Sequence, residues 1–325
     1  MTELLFAPME GLTGRHYREL HHSLFPGISR YYAPFISPTS DHGIQHRGWE
    51  ELRPERNRGV PLVPQLLTNR AEDFIWAASL LGDWGYEEIN LNLGCPSGTV
   101  VAKKKGAGFL GLTDELERFL TAIYGAAELK GLKLSVKARV GLKDTGEFAR
   151  LLDIFRRFPM ESLILHPRLK TDMYQGKIHE ECFQAAAELC PFPLVWNGDI
   201  FTPSDLQRRT EQFPKLKSVM IGRGMIAEPS LAARCLGLEG WESVRRETLI
   251  EYHDALCELY GSVLYGDRAV CQKMKEHWFY LIRHFGGGAK HHKRICKAQS
   301  RNEYRLAARA ALCELPLLPD TQWES

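Results

Sequence analysis

The chain has 325 residues, 44% of them hydrophobic and 25% charged, with 42 Lys/Arg against 40 Asp/Glu. That composition excludes a disordered chain and supplies a large core. No run of about 18 apolar residues occurs, and the start lacks the basic and apolar stretches of a signal peptide, so a cytoplasmic protein with no membrane partner is predicted. The eight cysteines are scattered, without a C-x-x-C pair or a Cys/His cluster, which argues against a disulfide framework and against a metal site.

Eight short apolar runs, at residues 4–9, 30–35, 62–67, 88–93, 134–140, 162–166, 194–197 and 218–221, read as buried strands. Helix-like stretches at 71–81, 114–129, 148–158 and 203–212 separate several of them. This alternation predicts an α/β fold, a TIM (β/α)8 barrel over residues 1–238. From Trp241 onward the strand signals stop and glycines punctuate helical periodicity, which predicts a C-terminal all-helical domain at 239–325. Asp267 is expected to cap a helix running to about Phe285. Ser300 and Glu303 have the spacing of a capping box before a helix at 304–315.

Functional groups in such barrels gather at the carboxyl ends of the strands. There this sequence places Pro8, Met9, Gln65, Asn92, Lys137, Arg139, His166 and Arg168. A lysine inside a barrel strand costs several kcal/mol unless it meets an anion or a dense hydrogen-bond network. Several such residues together predict a site. Asn197-Gly198-Asp199 after the seventh strand and Gly222-Arg223-Gly224 after the eighth have the glycine-rich character of a phosphate-binding corner. Gln65 is either a polar cap on its strand or a partner for a heteroaromatic ring, since an amide both donates and accepts. His166 by itself is as compatible with a structural role as with a catalytic one; Lys137 and Arg168 nearby tip it toward the second.

Cys95 lies between Gly94 and Pro96, in a loop where a thiol can act as proton donor or nucleophile. The other seven cysteines are expected to be small buried hydrophobes. Residues 268–309 hold eleven Lys/Arg against two acids, so the rest of the chain is mildly acidic and a polyanion held at one end is predicted. Trp278, Tyr280, Phe285 and His277, His284, His291 and His292 interleave with these cations, in keeping with contacts to phosphates and unstacked bases. Lys290, Lys293 and Arg294 form the densest part.

Taken in order, Ala7-Pro8-Met9-Glu10-Gly11-Leu12-Thr13, Asn90-Leu91-Asn92-Leu93-Gly94-Cys95-Pro96, Val136-Lys137-Ala138-Arg139, His166-Pro167-Arg168, Asn197-Gly198-Asp199-Ile200 and Met220-Ile221-Gly222-Arg223-Gly224 resemble the tRNA-dihydrouridine synthases. The resemblance spans the barrel, while the helical tail matches in architecture more than in motif. It implies a monomeric FMN enzyme that reduces the C5–C6 double bond of selected uridines in tRNA, with NADPH recharging the flavin. Carried over by position, Ala7, Pro8, Met9 and Gln65 would contact the flavin ring, and Lys137 and His166 the flavin and the target base. Asn197, Gly198, Asp199, Gly222 and Arg223 would hold the ribityl phosphate. Asn92, Arg139 and Arg168 would line the uridine pocket, and Lys290, Lys293 and Arg294 would grip the RNA. Hydride from the flavin would reach C6, and Cys95 would protonate C5. The chain departs from the family pattern at Gly14, where an aspartate is usual, and in its second strand. An rRNA substrate is the alternative within the family. Two others are an FMN barrel reducing a small-molecule ring or enoate, which has no need of a basic tail, and a flavin-containing RNA-binding protein without turnover.

Overall fold

The computed structural model describes residues 2–44 and 46–322, and its nine strand segments form one wholly parallel sheet. They are β1 (Glu3–Phe6), β2 (Arg30–Tyr32), β3 (Leu62–Val63), β4 (Gln65–Leu66), β5 (Glu88–Leu93), β6 (Lys133–Arg139), β7 (Leu163–His166), β8 (Leu194–Asn197) and β9 (Ser218–Ile221). Their order is β3-β2-β1-β9-β8-β7-β6-β5-β4. β3 and β4 are consecutive in the chain and separated only by Pro64, which has no N–H to give the ladder. The expected strand at 62–67 is therefore split, and its two halves pair with opposite ends of the sheet, closing a (β/α)8 barrel. β1 and β2 also stop earlier than the apolar runs suggest, just ahead of Pro8 and Pro34.

Outward strand residues such as Ile89, Leu91, Leu163 and Val219 belong to one large core shared with the surrounding helices. Helix Thr113–Gly125 shows how the sequence builds that layer: Asp114 and Glu115 sit in its first turn, and Leu116, Phe119, Leu120 and Ile123 form its buried stripe. It ends at Gly125, short of the predicted 129, because Ala126 turns extended before a single 3-10 turn. The complete capping box belongs to helix Pro203–Gln212, through Thr202 and Asp205. At Ser300 only half of the expected box forms. Its hydroxyl accepts from the Glu303 N–H, but the Glu303 carboxylate reaches the Gln299 N–H instead. Asp267 is the first residue of helix Asp267–Leu281 and not its cap, which is Gly266 at φ +80°. Its carboxylate accepts from the Arg301 N–H.

Helices Trp241–Val263, Asp267–Leu281, Ala289–Lys297 and Arg301–Glu314 make up the C-terminal region. It is seated on the barrel through helix Arg15–Leu24. The Tyr17 ring stacks on His277 at 5.1 Å and meets Tyr252 edge-on at 5.7 Å. Beside this contact the buried Glu228 carboxylate takes Arg234 at 2.9 Å and lies 3.9 Å from Arg245. Among the described residues no helix is long and apolar enough to cross a membrane.

Candidate active site

At the carboxyl ends of the strands lies a cavity of about 830 Å³, counting its open mouth. Parallel strands end there together, so residues far apart in sequence converge. Ala7, Pro8 and Met9 follow β1, Gln65 is on β4, Asn92 and Cys95 are at the end of β5, and Lys137 and Arg139 are on β6. His166 ends β7, Asn197 ends β8 with Gly198 and Asp199 just after it, and Gly222 and Arg223 follow β9.

Cys95 is half-buried at this wall. Burial pushes its thiol above the ordinary range, helped by the Glu10 charge, with the Ser97 backbone and the Arg139 and Lys137 charges pulling the other way. The loop carrying it is fixed at two points. The Gly94 and Cys95 N–H groups both donate to Asn92 Oδ1, at 3.0 and 2.9 Å, and Ala107 N–H donates to the Cys95 carbonyl at 3.0 Å.

Lys137 points into the cavity from the middle of β6 and makes no hydrogen bond or ion pair among the described residues. Burial, with Arg139 beside it, lowers its ammonium to about 7. Its neighbour Arg139 is buried, lowered to about 10 chiefly by burial, and spends its guanidinium on backbone carbonyls: Gly94 at 3.0 Å, Leu169 at 2.7 Å and Met173 at 2.6 Å. It therefore ties the Cys95 loop to the loop after β7. Burial, reinforced by Arg139, Lys137, Arg168 and Arg223, holds His166 well below the ordinary imidazole range. Arg168 lies 3.4 Å from its Nε2. An arginine only donates, so Nε2 accepts and the neutral ring carries its proton on Nδ1.

Asp199 faces Arg168 and Arg223 together. A carboxylate so neutralised cannot itself hold a phosphate; it aims the two guanidiniums, and its own φ of +36° follows Gly198 at +150°. Gly224 is sterically required and Gly222 is tightly placed. A Cβ on Gly224 would sit 2.1 Å from the Ile200 carbonyl oxygen, and one on Gly222 would meet Ala7 and Met9 at 3.2 Å.

Arg168 is buried and does not line the cavity; it works from behind, through Asp199. Lys290, Lys293 and Arg294 are outside it altogether, exposed on helix Ala289–Lys297. Four of the seven interleaved rings of the basic segment are closed to stacking on RNA bases, while Tyr280, His291 and His292 are half-buried. Trp278, Phe285, His277 and His284 are core residues, because on a helix seated against a barrel the aromatic stripe faces inward. The cations are also fewer than the sequence suggests, since Arg301, Arg305 and Arg309 pair with Glu258 and Asp254 of helix Trp241–Val263. Cys296 and Cys313 are exposed on the outer faces of their helices, contrary to the expectation of burial.

Sequence reasoning missed Tyr174, which lines the cavity from the loop after β7. Its ring lies between two guanidiniums, 5.3 Å from that of Arg139 and 5.6 Å from that of Arg223. The signal present was a single aromatic in the connection between β7 and the following helix. Glu10, Phe35 and Phe201 also line the cavity.

The fold is similar to that of morphinone reductase, with a TM-score of 0.51 at 12% identity over 72% of this chain and 86% of that one. In sequence the chain is 29% identical to a tRNA-dihydrouridine(16) synthase of Ralstonia nicotianae over 243 residues, 73% of each protein. It is 25% identical to a probable tRNA-dihydrouridine synthase of Rhizobium leguminosarum over 311 residues, 94% of this chain and 93% of the relative. The family model described as dihydrouridine synthase matches residues 5–312, a span that takes in the barrel, the converging cavity residues and most of the helical region. The chain belongs to the dihydrouridine synthase family.

Proposed function

We propose that this protein is a cytoplasmic enzyme that reduces the C5–C6 double bond of uridines in tRNA, with FMN in the barrel cavity and NADPH as electron donor. The residues present fit that cofactor. Lys137 brings an ammonium without a hydrogen-bond partner to a site where a flavin ring offers acceptors. Gly198, Gly222 and Gly224 let the backbone next to Arg223 pack closely on His166, Ala7, Met9 and Ile200, the glycine-rich character of a phosphate-binding corner. Ala7, Pro8 and Met9 supply an apolar wall for the ring, Gln65 and His166 hydrogen-bonding groups, and Asn197 stiffens the phosphate end by donating to the Met220 carbonyl at 2.8 Å.

FMN, when bound, supplies the hydride that adds at uracil C6. Cys95 supplies the proton that adds at C5. Burial and the nearby Glu10 carboxylate favour its neutral thiol, as a proton donor requires, while the charges of Arg139 and Lys137 favour the thiolate left behind. Asn92 and Arg139 hold the Cys95 loop still while this happens, and Tyr174 closes part of the mouth. A uracil must leave its stack to reach such a cavity. Lys290, Lys293 and Arg294, exposed on the helical region at 239–325, are the groups proposed to hold the RNA backbone during that step. The carrying observation is the half-buried Cys95 thiol at the wall of a cavity that also presents Lys137 and His166.

The test is nucleoside mass spectrometry of tRNA and rRNA from a strain lacking the gene, beside its parent. A dihydrouridine lost from tRNA, restored by the wild-type gene and not by Cys95→Ala, is expected. Restoration by Cys95→Ala would overturn the proton-donor role, and a loss confined to rRNA would overturn the substrate.

A further inference from the structure

The barrel interior is unevenly filled. Leu5, Ala7, Tyr32, Val63, Ile164, Val195 and Met220 form an apolar cluster on one side. On the other side, alternation along the strands turns polar residues of β4, β5 and β6 inward, and register places Gln65 opposite Asn90 and Asn90 opposite Ser135. These groups make one continuous chain of hydrogen bonds. From the Gly94 and Cys95 N–H groups it passes to Asn92 Oδ1, then from Asn92 Nδ2 to Gln65 Oε1 at 2.7 Å and from Gln65 Nε2 to Asn90 Oδ1 at 2.7 Å. It continues from Asn90 Nδ2 to Ser135 Oγ at 2.8 Å and ends where the Ser135 hydroxyl donates to Glu88 Oε1 at 2.5 Å.

Every donor in this chain points away from the cavity and toward Glu88. Both ends demand that sense, because a backbone N–H only donates and a carboxylate only accepts. Turning any one of the three amides would set N–H against N–H and oxygen against oxygen. Glu88 is itself buried, with Arg30 at 2.7 Å and the Tyr32 hydroxyl at 3.1 Å. Bonds aligned head to tail in a low-dielectric interior polarise and strengthen one another.

We infer that Glu88 is a positioning residue for the Cys95 loop, acting from the opposite end of the barrel. Its carboxylate is the terminal acceptor that orients the Asn90, Gln65 and Asn92 amides, so that Asn92 presents oxygen to the Gly94 and Cys95 N–H groups and clamps them. Four residues of strand, roughly 13 Å at about 3.3 Å per residue, separate Glu88 from Asn92. The same orientation leaves Gln65 one N–H to offer the cavity. The relevance to uridine reduction rests on the proposed role of Cys95; the clamp itself does not.

The test is residue-resolved amide hydrogen exchange on the cofactor-free protein, with global stability followed by urea unfolding. Glu88→Gln replaces an obligate acceptor with a group that also donates. Ser135→Ala cuts the chain while leaving Glu88 and Arg30 paired, and carries the test should Glu88→Gln not fold. Tyr32→Phe removes a bond to Glu88 that lies outside the chain. Glu88→Gln and Ser135→Ala are expected to speed exchange at Gly94 and Cys95 about tenfold relative to Leu165 on β7, with Tyr32→Phe close to wild type. Uniform loss of protection following global stability, or an equal effect of Tyr32→Phe, would overturn the inference. Because no cofactor or RNA is present, failure of the clamp and failure of the uridine-reductase reading are separate results.

Discussion

Arg168 grips both carboxylate oxygens of Asp199, at 3.0 and 2.6 Å. The arginine side chain is 2% exposed and that of Asp199 19%, so this pair sits where removing one partner strands the other. Arg168 also donates to the Gly176 carbonyl at 2.8 Å, which couples the corner after β8 to the loop after β7. Asp199→Ala is expected to cost about 3 kcal/mol in urea unfolding, the scale for an uncompensated buried charge. Asp199→Ala combined with Arg168→Met should cost less than Asp199→Ala alone. A double variant worse than the single one would show that the pair is more than mutual neutralisation.

Gly224 is the tightest position in the cavity corner, with the Ile200 carbonyl 2.1 Å from where a Cβ would be. Backbone must move to admit a methyl group, so Gly224→Ala is expected to lose about 2 kcal/mol or more and to purify with little flavin. Gly222→Ala meets only Ala7 and Met9 side chains at 3.2 Å and should be milder in both respects. Flavin content and melting temperature of the two variants decide this.

Lys137 makes stability depend on pH in the cofactor-free protein. Its folded value of about 7 lies below the ordinary value of about 10.4, so between these the unfolded chain binds more protons and this group's contribution to stability rises with pH. Below about pH 7 both states are protonated and the penalty for burying the ammonium is present in full. Lys137→Met should therefore stabilise the protein most near pH 6, by about 2 kcal/mol after allowance for water in the cavity, and progressively less toward pH 10. A variant whose advantage is flat with pH would contradict a depressed ammonium.

The raised Cys95 thiol should alkylate slowly at neutral pH, with a midpoint above the ordinary thiol value of about 8.5, since the thiolate is the nucleophile. Iodoacetamide labelling read by peptide mass spectrometry separates Cys95 from the exposed Cys296 and Cys313, which should react first. Preferential labelling of Cys95 at pH 7 would mean a thiolate and would remove it as a proton donor.

Replacing Lys290, Lys293 and Arg294 together with glutamate should weaken tRNA binding and reduce the slope of log affinity against log salt by about 2 to 3, the release expected for three phosphate contacts. Flavin content should be unchanged, because these residues lie outside the cavity. An unaltered salt slope would move the RNA grip elsewhere on the molecule.

Barrel class and the residues at the strand ends were legible in the sequence because parallel strands are buried on both faces and end together, so apolar runs and the polar groups after them mark one mouth. Cys95, Lys137 and His166 could be placed there without coordinates for that reason. What lay beyond the sequence was pairwise. That Arg168 serves Asp199 and not the pocket, that Pro64 splits a strand, and that the amides of Asn90, Gln65 and Asn92 run head to tail into Glu88 all depend on contacts between strands 25 or more residues apart. The basic segment shows the same limit from the other side. Charge and aromatic content along one chain cannot tell a nucleic-acid surface from a packed helix face. Only docking against helix Arg15–Leu24 and helix Trp241–Val263 decided which cations face solvent and which rings became core.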